Sequence, residues 1–162
     1  MKQIISRAAI LRQINKPLEI SNILVPSRLF KGQVLVKMMY SGICGSQLGE
    51  IKGIKGKDKY LPHLLGHEGI AEVIERNKKV KKVKKNDIVL LHWMPSNGIN
   101  SKTPFYTDQK NKKINAGFVT TFNEYAIVSE NRLTKIDGQK ENLLNYLLLG
   151  CTSSTAIGSV NK

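Results

Sequence analysis

Short segments with apolar residues at alternate positions fill most of the chain as far as Ile136. This period of two is typical of β-strands with one buried face. Turn-forming Gly, Pro and Asn residues separate the segments. We therefore predict strands over residues 3–12, 17–20, 33–40, 69–76, 87–93, 118–129 and 132–136. In the segment 33–40 both alternating sets are largely apolar, which predicts a strand that is buried on both faces.

Helical patterns are scarce. A short helix is predicted over residues 46–51 with Ser46 as its N-cap, and a helix-like apolar run covers Glu141 to Leu149. Residues 94–117 contain two prolines and many polar residues, so we expect an irregular excursion there. Many short strands and few helices predict a mainly β (α+β) fold, either a β-barrel or a sandwich.

The chain is strongly basic, with a formal net charge of +14 over 162 residues. A length of this order suits one domain with its own core. Much of the positive charge lies in residues 78–85, which raises the possibility of a nucleic-acid-binding module. A single-strand binder would place aromatic residues among the lysines for base stacking, and residues 69–92 contain none. We therefore expect a solvated basic rim and no membrane partner, with a basic β-barrel nucleic-acid-binding module as a further alternative.

The cysteine content and the N-terminus suggest a cytoplasmic protein. Two cysteines in this length do not form a disulfide framework, so a reducing compartment is expected. The N-terminal residues 1–16 are basic but alternate like a strand instead of forming a secretory apolar run. No window approaches 18 consecutive apolar residues, so no membrane span is expected.

Candidate metal ligands stand out among glycines. Cys44, His67 and the carboxylate of Glu68 lie within 25 positions, and Cys151 is the second cysteine. Zinc favours thiolate and imidazole ligands, and a catalytic zinc keeps three of them with one open position. Cys44, His67 and Cys151 supply such a set. Ser46 is close enough in sequence for its hydroxyl to reach a group bound at that open position.

Each candidate also has an ordinary structural interpretation. A lone cysteine is usually a small buried apolar residue, and a lone histidine is often a satisfied core or surface residue. His63 and His92 are given only that interpretation. His67 and Glu68 are sequence neighbours, so both reach one site only if the backbone bends, which Gly66 and Gly69 permit. Composition and spacing alone leave the metal site and these alternatives open.

Five motifs together resemble those of the zinc-dependent alcohol dehydrogenases of the medium-chain dehydrogenase/reductase superfamily. They occur in the order of that family's N-terminal, GroES-like catalytic domain, and the resemblance runs along nearly the whole chain. The motifs are GICGS at 42–46, LPHLLGHEG at 61–69, VKKNDIV at 83–89, FNEY at 122–125 and GCTSSTAIG at 150–158. The resemblance implies a GroES-like antiparallel β-barrel with a few short helices.

The resemblance also implies residue roles. Cys44, His67 and Cys151 match the catalytic zinc ligands, and Glu68 matches the acid that assists ligand exchange. Ser46 matches the hydroxyl residue that takes the alcohol's proton. The resemblance further places Trp93 in the substrate pocket and Thr155 near the nicotinamide. It implies hydride transfer between a small alcohol or aldehyde and NAD or NADP, with zinc as the Lewis acid.

Three departures from the family pattern change these expectations. Gln47 stands where the family usually has Asp, so the surroundings of the zinc differ. Gly49 stands where a proton-relay histidine is common. Residues 94–117, where a four-cysteine structural zinc lobe is expected, contain no cysteine. We therefore expect one catalytic zinc and no structural zinc.

Length is the largest departure. The family continues into a Rossmann domain with a G-x-G-x-x-G fingerprint, which these 162 residues lack. We divide the chain into a zinc-binding catalytic domain, 1–140, and the helical start of a connection to a coenzyme domain, 141–162. The chain then represents a fragment, a truncated gene or one half of a two-chain enzyme, inactive alone, whose full-length form is a homo-oligomer. The alternatives are a non-catalytic remnant or a zinc-free reductase relative.

Overall fold

The computed structural model describes residues 3–137 and 143–161. It is built mainly of short strands, as predicted. The ten described strands are β1 (Ile4–Leu11), β2 (Glu19–Val25), β3 (Gln33–Ser41), β4 (His63–Leu64), β5 (Gly69–Arg76), β6 (Ile88–Leu91), β7 (Phe105–Asp108), β8 (Lys113–Asn115), β9 (Tyr125–Ser129) and β10 (Leu133–Lys135). The described α-helices are α1 (Gly45–Ile51), α2 (Leu143–Leu147) and α3 (Thr152–Val160).

Five strands close into a small barrel in the order β1-β2-β7-β8-β4. β1 and β2 form a long antiparallel pair, from Ile4 opposite Val25 to Ile10 opposite Glu19. β4 closes the ring because it pairs antiparallel with β1 and parallel with β8. The barrel is filled by apolar side chains, including the fully buried Tyr106. The fold class is therefore confirmed as mainly β with short helices.

The other five strands form a sheet in the order β10-β6-β5-β3-β9. β3 lies near its centre and is buried on both faces at its start. Val34 and Val36 pack into the core of this sheet, whereas Leu35 points into the barrel core. The apolar residues at consecutive positions in β3 therefore join the two layers, as the sequence pattern indicated.

Several predicted element boundaries were wrong. The N-cap of α1 is Cys44, whose backbone is extended, and Ser46 lies inside the first turn. The expected irregular excursion contains β7 and β8, which pair with each other through a turn at Asn111 of positive φ. The predicted strand 118–129 begins only at β9. The preceding residues bond to separate segments, with Thr121 and Phe122 N–H both donating to Leu65 O.

The C-terminal prediction is met in part. The run predicted as a helix over 141–149 forms α2 and then a 3-10 turn, Leu148–Gly150. α3 follows directly. Residues 141 and 142, and with them the predicted domain boundary at 140/141, lie outside the described residues. The division into two units therefore stays a prediction.

The basic run at 78–85 is anchored to the core. Val80 and Val83 are buried in the core of the sheet. The carboxylate of buried Glu130 accepts hydrogen bonds from the backbone N–H groups of Lys81 and Lys82, at 2.7 and 2.9 Å. The periodic valines therefore have a packing role, and the lysines between them form the rim of a loop.

Among the described helices, none is by itself long and apolar enough to cross a membrane. One pair, Leu143–Gly150 with Thr152–Val160, meets that requirement jointly, on length and composition alone, and is bent by 57° at its break.

Candidate metal centre

Cys44 and His67 meet because β3 and β5 are antiparallel neighbours. The end of β3 pairs with the start of β5, Ser41 opposite Gly69. The pairing extends one step further, since Gly42 N–H donates to Glu68 O at 2.9 Å. Cys44 follows this end of β3 and His67 precedes this end of β5. Sheet pairing thus brings together two ligands that are distant in sequence.

A bend before β5 directs both His67 and Glu68 toward this site. Gly66 has φ +89, a backbone conformation that residues with a side chain rarely adopt, and an added Cβ would collide with Thr121. The bend frees consecutive residues from the alternation of a regular strand. The predicted need for a glycine here is therefore met at Gly66.

Cys151 reaches the same place through a close approach of backbones. Gly150 lies against the carbonyl oxygen of Leu91, at the end of β6, with no room for a side chain. The carboxylate of Glu68 then holds the next residues. Its Oε1 accepts from the backbone N–H groups of Cys151 and Thr152, at 2.7 and 2.9 Å, and its Oε2 accepts from Thr152 Oγ1 at 3.1 Å.

The three ligand atoms form a compact group. The Sγ atoms of Cys44 and Cys151 are 3.9 Å apart, and with the His67 nitrogen all lie within 4.8 Å of one another. A Zn–S bond of about 2.3 Å gives a tetrahedral S–S edge of about 3.8 Å. His67 Nε2 is buried and has no hydrogen-bond partner in the protein, as expected of an atom that faces a ligand position. The Cys-His-Cys cluster therefore fits a zinc site.

The protonation preferences of the cluster differ between its members. Hydrogen bonds from the backbone and side chain of Ser46 lower the pKa of the Cys44 thiol. Burial raises the pKa of the Cys151 thiol and lowers the pKa of His67. Metal binding requires thiolates and a neutral imidazole. The shifts therefore favour the thiolate of Cys44 and the neutral charge state of His67, whereas burial of Cys151 disfavours the thiolate that a metal needs.

The four other predicted site residues differ in their exposure and in their contacts with the cluster. Ser46 is exposed, lies two residues after Cys44 and lowers the pKa of the Cys44 thiol. Thr155 Oγ1 lies 3.9 Å from Cys151 Sγ. Glu68 is 1% exposed and its carboxylate contacts the ligand-bearing backbone. Trp93 is 46% exposed, and its carbonyl accepts from Arg132. The roles assigned to these four residues and to the three ligands stay predictions.

A cavity of about 990 Å³ opens beside His67, and neither Cys44 nor Cys151 lines it. Gln47 and His67 form one part of its wall, and Phe118 and Val119 another. Lysines line it further out, at 55, 57, 59 and 113. Such a cavity is large enough for a small organic substrate.

Two histidines lie outside the cluster, each with polar partners. His63 Nε2 is 2.7 Å from the carboxylate of Asp58. His92 contacts Met94 O at 2.7 Å and Thr134 Oγ1 at 3.1 Å. Within residues 3–137 and 143–161, Cys44, His67 and Cys151 form the one group of three or more candidate ligands close enough to hold a metal.

Sequence reasoning missed two contributors to the site. Gly150 adjoins a ligand cysteine, but nothing in the sequence indicated its contact with Leu91 O. Thr152 belongs to the motif at 150–158, but it was given no role. Gln47 was identified only as a departure, and the structure shows that it contacts both Cys44 and His67.

Comparisons with known proteins agree with this geometry. The sequence model of the "Alcohol dehydrogenase GroES-like domain" family matches residues 31–138. An S-(hydroxymethyl)glutathione dehydrogenase of Escherichia coli O1:K1 / APEC is 30% identical, over 97% of this chain and 48% of its own length. The chain therefore spans about half the length of the curated relatives it matches.

Solved structures with the same fold align with nearly the whole of this chain. An alcohol dehydrogenase zinc-binding domain protein from Burkholderia ambifaria has a TM-score of 0.76 at 21% identity, over 93% of this chain and 46% of its own. The alcohol dehydrogenase of Aeropyrum pernix has a TM-score of 0.64 at 25% identity, over 89% of this chain and 44% of its own.

Proposed function

We propose that this chain, which belongs to the alcohol dehydrogenase GroES-like domain family, is the zinc-binding catalytic portion of an oxidoreductase. The reaction is oxidation of a small alcohol, or reduction of the corresponding aldehyde or ketone, by hydride transfer with NAD or NADP. The observation that carries this proposal is the compact Cys44, His67 and Cys151 cluster with its unpartnered imidazole nitrogen.

One zinc would be held by the two sulfur atoms and by Nε2 of His67. When bound, zinc supplies Lewis-acid polarisation of the substrate oxygen. Ser46 accepts the proton of the substrate hydroxyl, a role supported by its exposed position beside Cys44. Glu68 holds Cys151 in place through its hydrogen bonds to the backbone.

The cavity beside His67 supplies space for the substrate. We assign the carbon chain of the alcohol to its apolar wall at Phe118 and Val119. Trp93 does not line this cavity, and we retain it as a substrate contact on the family resemblance alone. Thr155, next to the Cys151 sulfur, is assigned to the nicotinamide side.

Coenzyme binding is assigned to a domain outside these 162 residues. The sequence contains no G-x-G-x-x-G fingerprint, and the relatives are about twice as long. We expect this portion alone to have little dehydrogenase activity, and the full-length enzyme to be a homo-oligomer. A reducing cytoplasmic location suits a site made of two free cysteines.

Zinc analysis of purified protein tests the proposal. The parent is compared with Cys151→Ser and with Ser159→Ala, a change on α3 at an exposed hydroxyl that bonds to Thr155 O. We expect about one zinc per chain in the parent and in Ser159→Ala, and a clear loss in Cys151→Ser. A folded parent without zinc would support the alternative of a non-catalytic remnant or a zinc-free reductase relative.

A further inference from the structure

Gln47 contacts two of the candidate ligand residues at once. Its Oε1 accepts a hydrogen bond from the backbone N–H of Cys44 at 2.8 Å. Its Nε2 lies 2.6 Å from Nδ1 of His67. The side chain is buried, so water does not compete for these positions. Gln47 therefore links the backbone of one ligand to the imidazole of another.

The orientation of the Gln47 amide follows from its fixed partner. The Cys44 N–H is a backbone group and can only donate, so the atom facing it must be the amide oxygen. A rotated amide would place its NH2 group against that N–H, donor to donor. The amide NH2 therefore faces His67, and it too can only donate. Consequently Nδ1 of His67 must accept.

A neutral imidazole that accepts at Nδ1 carries its proton on Nε2. Nε2 is the buried nitrogen without a protein partner, and it is the one left free to face the two sulfur atoms. Zinc needs a lone pair on that same atom. The hydrogen-bond pattern of the metal-free chain thus favours the tautomer that does not bind metal.

We propose that Gln47 is a positioning residue that holds His67 with its proton on Nε2 and thereby weakens zinc binding. This inference rests on the proposed zinc site. Loading requires the proton to move to Nδ1 and the Gln47 amide to rotate, which breaks its bond to Cys44. A carboxylate at position 47 would accept from Cys44 N–H and from Nδ1–H together, with no rotation.

The isosteric variant Gln47→Glu tests this proposal by two independent measurements. The first is the ¹⁵N NMR spectrum of His67 in metal-free protein at mildly alkaline pH, where an ordinary histidine is neutral. The second is the zinc dissociation constant by chelator competition. Leu48→Glu is the matched control, because it adds the same charge at the next position of α1, where the side chain is 51% exposed.

We expect the parent and Leu48→Glu to carry the proton on Nε2 of His67, and Gln47→Glu to carry a proton on Nδ1. Gln47→Glu should bind zinc about tenfold or more tightly than either. The proposal is overturned if His67 of the parent carries its proton on Nδ1. It is also overturned if Gln47→Glu binds zinc no more tightly than Leu48→Glu. A folded parent and Gln47→Glu that both fail to bind zinc would instead refute the metal site, while the NMR result would still decide the tautomer.

Discussion

The carboxylate of Glu68 accepts a hydrogen bond from the backbone N–H of Cys151 at 2.7 Å, across a separation of 83 residues. Glu68 adjoins one candidate ligand, and Cys151 is another. This bond and those to Thr152 place the negative charge at the N-terminus of α3, where the helix dipole favours it. One buried carboxylate thus connects the segment that carries His67, just before β5, to the segment that carries Cys151.

Replacing Glu68 with Gln should destabilise the protein by about 1–3 kcal/mol and weaken zinc binding. The Gln side chain has the same shape, but one carboxylate oxygen is replaced by an NH2 group. One acceptor oxygen then faces the three donors of Cys151 and Thr152, and the NH2 group opposes one of them. The measurement is urea unfolding with and without zinc. Glu75→Gln, at an exposed position, is the control and should stay within about 0.5 kcal/mol of the parent. Equal effects of the two changes would contradict the role given to Glu68.

Gly150→Ala should displace Cys151 and reduce zinc content, because the added Cβ would collide with the carbonyl oxygen of Leu91. Gly158→Ala is the matched control, since nothing lies within 4 Å of a Cβ at that position of α3. The control should be neutral or stabilising by up to about 1 kcal/mol. Zinc analysis and thermal unfolding of both variants check this, and full zinc occupancy in Gly150→Ala would refute it.

Ser46→Ala should slow alkylation of the Cys44 thiol at neutral pH by a few-fold. Its backbone N–H still lowers the pKa of Cys44, but the contribution of the hydroxyl is lost, so less thiolate is present. The measurement is the rate of iodoacetamide modification of metal-free protein, with modified peptides identified by mass spectrometry. Ser159→Ala should react like the parent. An unchanged rate in Ser46→Ala would show that the hydroxyl does not act on the sulfur.

Stability of the metal-free protein should fall as the pH drops through the ordinary pKa of histidine, about 6.5. Burial lowers the pKa of His92. The unfolded chain therefore binds the proton more readily, so stability is complete above that pH and is lost as the pH falls toward the folded-state pKa. Urea unfolding between about pH 7.5 and pH 5 measures this slope. His92→Gln should reduce it, and an unchanged slope would contradict this account.

Local pattern was enough to predict much of the sheet. The predicted strand over 69–76 is β5, and the predicted strand over 33–40 differs from β3 by one residue at its end. These strands are long and rich in apolar residues. β7 and β8 were missed because they are short and are stabilised by pairing. They pair with each other, and β7 also pairs with distant β2 and β8 with distant β4. Their stability depends on tertiary contacts that the local pattern does not carry.

The candidate site, like the sheet, could be predicted only in part from the sequence. The residue types of Cys44, His67 and Cys151 allowed zinc chemistry, and the family resemblance predicted it, before any geometry was known. Their convergence depends on pairing between β3 and β5 and on the approach of Gly150 to Leu91. The two contacts of Gln47 depend on the first turn of α1. Such contacts follow from the folded backbone, so sequence reasoning could name the candidate ligands but not the support around them.

The most direct test of the central claim is the zinc K-edge X-ray absorption spectrum of the purified, zinc-loaded protein. We predict two sulfur atoms at about 2.3 Å and one imidazole nitrogen at about 2.0–2.1 Å, with one further light atom. Cys151→Ser, if it retains any zinc, should show a single sulfur atom. A parent spectrum with only nitrogen and oxygen ligands would contradict the claim that Cys44, His67 and Cys151 together hold one zinc.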